Sequence, residues 1–317
     1  MSAEPQPEQL EPTMSAPATS RTEVRNARTT DIDTVPTLDL LRLLNAEDAT
    51  VAQAVAATLP TLAEVVDLTA ARLRSGGRVH YFGAGSSGRI GVLDAAEVVP
   101  TFGVEPGIFV AHHAGGQDAV RSAIEGAEDR RSLGLSAAAQ VGATDTAVGL
   151  SASGHTPYVA GALTAARNAG ALTVLVTSNP AASLAALADY LLLTDTGPEA
   201  IAGSTRMKAA TAQKMVLNSL STAVMVRLGR TYSNLMVSLA GSNSKLRRRQ
   251  ITILMEASGA TEEQCRAELA RCEGDLRLAL LCMLSGLEPA AASAALMAAG
   301  GSVREALAAA GRDQDPA

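Results

Sequence analysis

Five short apolar runs, Val79–Phe82, Ile108–Ala111, Thr146–Leu150, Leu172–Thr177 and Tyr190–Thr194, follow one another through the middle of this chain with helix-sized segments between them. Each has the length of a strand, and none alternates cleanly between polar and apolar residues. Strands that read as continuous apolar runs are covered on both faces, and strands alternating with helices build parallel sheets. The pattern predicts an α/β protein with a doubly wound, five-stranded parallel sheet. Ligands of such sheets bind beyond the carboxyl ends of the strands, where the strand order reverses. Only 2% of the residues are aromatic, so Ala, Val, Leu and Ile must fill the core.

The flanks read differently. Residues 1–22 are rich in Pro, Glu, Ser and Gln without periodicity, which reads as a disordered tail. A helical pattern starts at Leu38, and a long apolar-periodic run from Val51 to Leu73 is stopped by Ser75-Gly76-Gly77. After the fifth apolar run, Ala200 to Leu228 reads as one long helix, followed by an all-helical region from Leu246 to Ala310 with a capping box at Thr261–Gln264. The expected organisation is a tail over 1–22, a catalytic domain over 23–245 and a small, UBA-like bundle of three or four helices over 246–312.

Twenty-six basic against 32 acidic residues give a net charge of −6, which argues against a nucleic-acid surface. Cys265, Cys272 and Cys282 lack the spacing of a metal site and read as small apolar filler in a reducing compartment. Neither a membrane-length apolar run nor a secretory signal is visible. The expectation is a cytoplasmic protein without a metal, a cofactor, a nucleic-acid partner or a membrane partner.

Two loops carry the chemistry. After the first apolar run comes Gly83-Ala84-Gly85-Ser86-Ser87-Gly88-Arg89. Its glycines satisfy the dinucleotide pattern, but the second run ends in Ala111-His112-His113-Ala114 and offers no acid for a ribose hydroxyl. After the third run comes Ser151-Ala152-Ser153-Gly154-His155-Thr156-Pro157, in which Pro157 suits a first helical turn. Small residues, clustered hydroxyls and a helix N-terminus together favour a phosphate. Gly85, Ser86, Ser87, Gly88, Ser151, Ser153 and Thr156 are therefore candidate phosphate contacts. A third segment, Gly203-Ser204-Thr205-Arg206-Met207-Lys208, adds Ser204 and Lys208 as candidates, and reads equally well as an ordinary cap with solvated basic residues.

Two carboxylates stand out. The helix opening at Ser86 should end near Val98-Val99-Pro100, because the residue before proline disfavours helical geometry. Glu97 would then sit in its last turn among apolar neighbours, where the helix dipole and poor hydration suit a general acid; a solvated helix end is the competing reading. Glu125 falls on an expected helix from Gln117 to Arg130 and shares a face with Glu128 and Asp129. From spacing alone, that acidic face is better explained by solvation.

Gly83 to Glu97 as a whole closely resembles the signature of the N-acetylmuramic acid 6-phosphate etherases. So do Pro100-Thr101-Phe102-Gly103, Ile124 to Asp129, Ser151 to Tyr158, Gly203 to Lys208 and Arg42 to Asp48, and the similarity spans roughly residues 23 to 310. The resemblance implies a sugar isomerase (SIS) domain, a small helical domain and a homodimer. It also implies cleavage of a D-lactyl ether by elimination and hydration. The products would be N-acetylglucosamine 6-phosphate and D-lactate, within cell-wall amino sugar recycling. On the matching positions it makes Glu97 the acid and Glu125 the base, displacing the solvation reading of Glu125. Ser86, Ser87, Ser151, Ser153 and Thr156 would hold phosphate and sugar. The family usually has Arg where this chain has His155, so a permanent cation is replaced by a group that titrates near neutrality. The alternatives are a non-catalytic phosphosugar sensor and an aldose–ketose phosphosugar isomerase.

Overall fold

In the computed structural model, residues 21–239, 241 and 243–311 are described. Three helices, α1 (Thr37–Asp48), α2 (Val51–Ala56) and α3 (Leu59–Arg74), precede the sheet. Strands β1 (Val79–Gly83), β2 (Phe109–His113), β3 (Thr146–Leu150), β4 (Leu172–Thr177) and β5 (Tyr190–Leu193) form it in the order β2-β1-β3-β4-β5. Every neighbouring pair is parallel. The helices between and after the strands are α4 (Gly85–Phe102), α5 (Gly116–Arg121), α6 (Arg131–Ala137), α7 (Pro157–Asn168) and α8 (Lys208–Arg227). The chain runs outward from β1 to β2 on one side and returns to β3 on the other, so the order reverses between β1 and β3.

Side-chain alternation explains the two coats of helix. Val79 and Tyr81 of β1, Val148 and Leu150 of β3, and Val174 and Val176 of β4 join one apolar cluster with residues of α2, α3, α4 and α8. Phe82, Ala147 and Leu175, one step out of phase, join a second with α7. A period of two turned to opposite faces is what a sheet buried on both sides requires. Alanine and glycine on α6 and α7 let those helices lie close together and stand in for the missing aromatic bulk.

Beyond α8 a short hairpin, β6 (Thr231–Tyr232) and β7 (Leu235–Met236), leads into five helices. These are α9 (Ser244–Ser258), α10 (Glu262–Arg271), α11 (Leu276–Ser285), α12 (Pro289–Ala298) and α13 (Val303–Ala309). They enclose an apolar cluster of their own, in which all three cysteines are buried. The capping box forms: the Thr261 hydroxyl accepts from the Gln264 amide, and the Gln264 side-chain oxygen accepts from the Thr261 amide. No single helix among the described residues is long and apolar enough to cross a membrane.

Several expectations are corrected. Residues 1–20 of the expected tail lie outside the described residues. Thr22 is instead buried, and its carbonyl accepts from the Gly203 amide at 2.8 Å. The long helix opens at Lys208 rather than Ala200, because Gly203 adopts a left-handed conformation (φ 77°) incompatible with helix. The C-terminal region holds five helices rather than three or four, and the hairpin was not foreseen.

Within the sheet, His80 Nδ1 lies 3.0 Å from His112 Nε2, and Phe82 stacks on His112 at 4.5 Å between ring centroids. Burial lowers the affinity of both imidazoles for a proton. His112 falls to about 4, first through burial and then through the charge of His80. A folded-state value below the unfolded 6.5 means that stability is intact above pH 6.5 and is lost progressively toward pH 4, as the unfolded chain takes up the proton. Thermal melts between pH 7 and 4 are expected to show this decline, and His112→Asn to make it shallower. An identical slope in the variant would contradict the assignment.

Candidate active site

Parallel pairing of β1 with β3 sets the site. Gly83 is the register partner of Leu150, so the turns that follow these two strands leave the sheet side by side at the point where its order reverses. The first turn runs straight into α4. It depends on glycine at two places: a Cβ on Gly83 would lie 2.8 Å from the Gly88 nitrogen, and one on Gly88 would lie 2.6 Å from the Gly83 carbonyl oxygen. The strand end and the first helical turn therefore nearly touch. Ser86 and Ser87 are half-buried on that turn, and neither hydroxyl has a protein partner among the described residues.

In the second turn the hydroxyls converge. Ser151 Oγ lies 2.7 Å from Thr156 Oγ1 and 3.5 Å from Ser153 Oγ, and it accepts from the Gly154 amide at 3.0 Å. Thr156 caps α7 with extended backbone, and Pro157 occupies its first turn as expected. The Asn179 amide, just after β4, donates to the Ser153 carbonyl at 2.7 Å and reaches His155 Nε2 at 3.2 Å, while His155 Nδ1 lies 2.8 Å from Ser183 Oγ. Asn179 and Ser183 thus hold the turn from the next strand over. Sequence reasoning missed both, although Ser178-Asn179-Pro180 carries an ordinary turn signal. Two helix N-termini and five hydroxyls thus stand at neighbouring strand ends, an arrangement of the kind that favours an anion.

Glu125 sits at this end of the sheet, but not on a helix. The helix α5 stops at Arg121, where Ser122 turns extended. Arg89 of α4 takes up the carbonyls of Ala119 and Val120, each at 2.8 Å. Glu125 is exposed on the loop that follows, and Glu128 is tied by its carbonyl to the Tyr158 amide at 2.9 Å, next to Thr156. The expected face shared with Glu128 and Asp129 does not exist.

Glu97 departs in another way. The helix α4 continues through Pro100 to Phe102 and ends on left-handed Gly103. Pro100 falls within the last turn, where it removes one hydrogen bond near the helix end, and the end itself is set by the left-handed Gly103. Glu97 is therefore more than a turn from the helix end, and its side chain is exposed rather than set among apolar groups.

Lys208 requires a correction. It is fully buried, and its Nζ donates to Glu47 Oε2 at 2.7 Å, so its ammonium is committed inside the fold. Glu47 also receives Arg28 Nη2 at 2.8 Å. Hydrogen bonding from Arg28, reinforced by Lys208, overcomes desolvation and holds the Glu47 carboxyl at about 2. Glu199 caps α8 by accepting from the amides of Lys208 and Ala209 at 3.0 and 2.9 Å. The third candidate segment is thus anchored by buried charge. Ser204 is half-buried beside it, with no hydroxyl partner among the described residues. Removing one member of such a pair strands the other, at a typical cost of ~3–5 kcal/mol. Glu47→Ala should lower the unfolding midpoint steeply and Lys208→Met less so, because Arg28 still neutralises Glu47. Equal, negligible shifts in urea titrations would contradict the anchoring role.

The fold and its paired hydroxyl turns define a protein of the SIS class. Residues 129–223 match the SIS domain model, and residues 61–167 match the model of the glucokinase regulatory protein N-terminal SIS domain. The chain belongs to the N-acetylmuramic acid 6-phosphate etherase family. A protein of that name from Thermobifida fusca is 60% identical over 264 residues, covering 83% of this chain and 87% of its own. Others from Streptomyces avermitilis and Cronobacter sakazakii are each 48% identical, over 93% and 90% of this chain and 95% and 97% of theirs. Among solved structures, a phosphoheptose isomerase from Francisella tularensis aligns over 61% of this chain and all of its own, at 17% identity and a TM-score of 0.46.

Proposed function

We propose that the chain is a carbon–oxygen lyase that cleaves the D-lactyl ether of N-acetylmuramic acid 6-phosphate in cell-wall amino sugar recycling. The observation that carries this reading is near-full-length identity of 46–60% to proteins named for that activity, on a fold with a dianion cradle at its switch point. The 6-phosphate sits on Ser86, Ser87, Ser151, Ser153 and Thr156, with the backbone of Gly85 and Gly88 closing the first turn around it. Ser204 stands at the same end of the sheet and is assigned to the rim of the substrate site. We also assign the division into a catalytic domain over 23–245 and a helical domain over 246–312, a cytoplasmic location and a homodimeric state.

The reaction starts from the open-chain sugar, whose C2 proton is acidic because it lies next to the C1 aldehyde. Glu125 removes that proton, the electron pair forms the C2–C3 double bond, and the C3–oxygen bond breaks. Glu97 protonates the departing lactate oxygen. Water then adds at C3 while a proton returns to C2, giving N-acetylglucosamine 6-phosphate. The chemistry needs one base, one acid and a firmly held substrate.

The test is D-lactate release, measured together with deuterium uptake at C2. Each glutamate substitution should lower release by ~10²–10⁴-fold. Glu125→Gln should abolish exchange as well, whereas Glu97→Gln should leave exchange measurable. Ser151→Ala removes a hydrogen bond to a charged group and should raise KM by ~10–100-fold. Binding of the phosphosugar without any lactate release by the wild type would replace the etherase reading with that of a sensor.

A further inference from the structure

We infer that the chain carries a second anion site at the amino end of the sheet, where three arginines line a cavity of about 500 Å³ suited to a small molecule with a phosphoryl group. Arg74 ends α3, and Arg78 stands just before β1. The turn before β2 supplies Val104 to Ile108, and Arg230 follows α8. Gly300 closes the cavity from the connection between α12 and α13. The five residues of β1 rise roughly 16 Å at ~3.3 Å per residue, so the cavity and the serine turns stand at opposite ends of the sheet. The etherase chemistry makes no use of it.

The charges around this cavity do not balance. Arg230 is half-buried, yet its guanidinium has no hydrogen bond or ion pair among the described residues. Burial, and then the charge of Arg277, weaken its hold on a proton, and no carboxylate offsets them. Arg277 is itself half-buried without a side-chain partner among the described residues. Its Nη1 lies 2.9 Å from where a side chain on Gly301 would begin, beside Gly300. Arg78 is also unpaired, and Arg74 donates to the Arg227 carbonyl at 2.6 Å. Arg227, by contrast, meets Asp67 at 3.2 Å. Glu105, the acid on the cavity wall, is exposed and pairs with none of these arginines. A guanidinium drawn out of water without a counter-charge is unfavourable, and an anionic occupant would complete the arrangement.

The lining narrows the class of occupant. Guanidiniums are planar forks of donors that match phosphoryl oxygens, and several around one space favour a dianion over a single carboxylate. Leu73, Ile108 and Leu228 supply an apolar wall for a carbon frame, and the volume falls within the ~300–1,000 Å³ of small-molecule sites. Gly76 and Gly107 adopt left-handed conformations on the rim, with no atom within 4 Å of where a side chain would begin, so the mouth is unobstructed there. A dianion held here would also screen Arg230 from Arg277, tying the end of α8 to the helical region.

The test counts phosphate sites. Inorganic phosphate and glucose 6-phosphate are titrated calorimetrically into the wild type, Arg230→Gln, Arg78→Gln and Ser151→Ala, and lactate release is assayed in phosphate-free buffer. The wild type should bind two phosphates per chain. Arg230→Gln should weaken one of them by ~10–100-fold while lactate release stays at the wild-type rate. Arg78→Gln, at an exposed position, should weaken the same site, and Ser151→Ala the other alone. Tighter binding of glucose 6-phosphate than of phosphate at the Arg230 site would support an organic ester as occupant; the reverse order would support free phosphate. A single phosphate per chain, or two that are both indifferent to Arg230→Gln and Arg78→Gln, would overturn the inference. The binding counts hold whether or not lactate is released, so failure of the second site and failure of the etherase reading are told apart.

Discussion

The parallel pairing of β1 with β3 is the constraint on which the remaining structure depends. Because Gly83 and Leu150 are register partners, two hydroxyl-bearing turns emerge beside each other, and the helix that follows each aims its free amides outward. One such turn is a common helix cap. Two at adjacent strand ends bring the amide-bearing ends of two helix dipoles together in a chain whose net charge is −6. The local field at helix N-termini thus opposes the global sign, which is why overall composition could exclude nucleic acid without excluding a phosphate.

Around that cradle the fold uses buried polar groups to fix what apolar packing leaves loose. The Glu47 carboxylate gathers Arg28 and Lys208, drawing the N-terminal segment and the start of α8 onto α1. Asp94 does the same between α4 and α8, accepting from Tyr81, Asn218 and Ser221 at 2.8–3.1 Å, and its burial raises its affinity for a proton. A core with so few aromatics has little bulk with which to lock helices in register, and satisfied polar networks supply directional constraint instead. The motif 203–208, which reads as a cluster of hydroxyls and cations, owes its lysine to this structural role.

Much of the fold was readable because burial on both faces leaves a plain mark: the continuous apolar runs coincide with all five strands to within a residue or two. The serine turns were readable for the same reason, since glycine and hydroxyls concentrate where a strand must give way to a helix. Proline at position 100 misled because α4 runs two residues past it and ends on left-handed Gly103, so the glycine and not the proline sets the boundary. Residues 117–130 carry a helical pattern, but Arg89 draws off the carbonyls that would have continued the helix. Lys208 looked available because a sequence shows a charge and not the partner that buries it. Asn179 acts through space on a turn 26 residues earlier, and only the fold brings them together.

The decisive measurement is a crystal structure of the Glu125→Gln protein with uncleaved N-acetylmuramic acid 6-phosphate. The phosphoryl group should lie between the turn at 84–88 and the turn at 151–157, within hydrogen-bonding distance of hydroxyls from both. A phosphoryl group seated elsewhere, or held by one turn while the other stays solvated, would contradict the account.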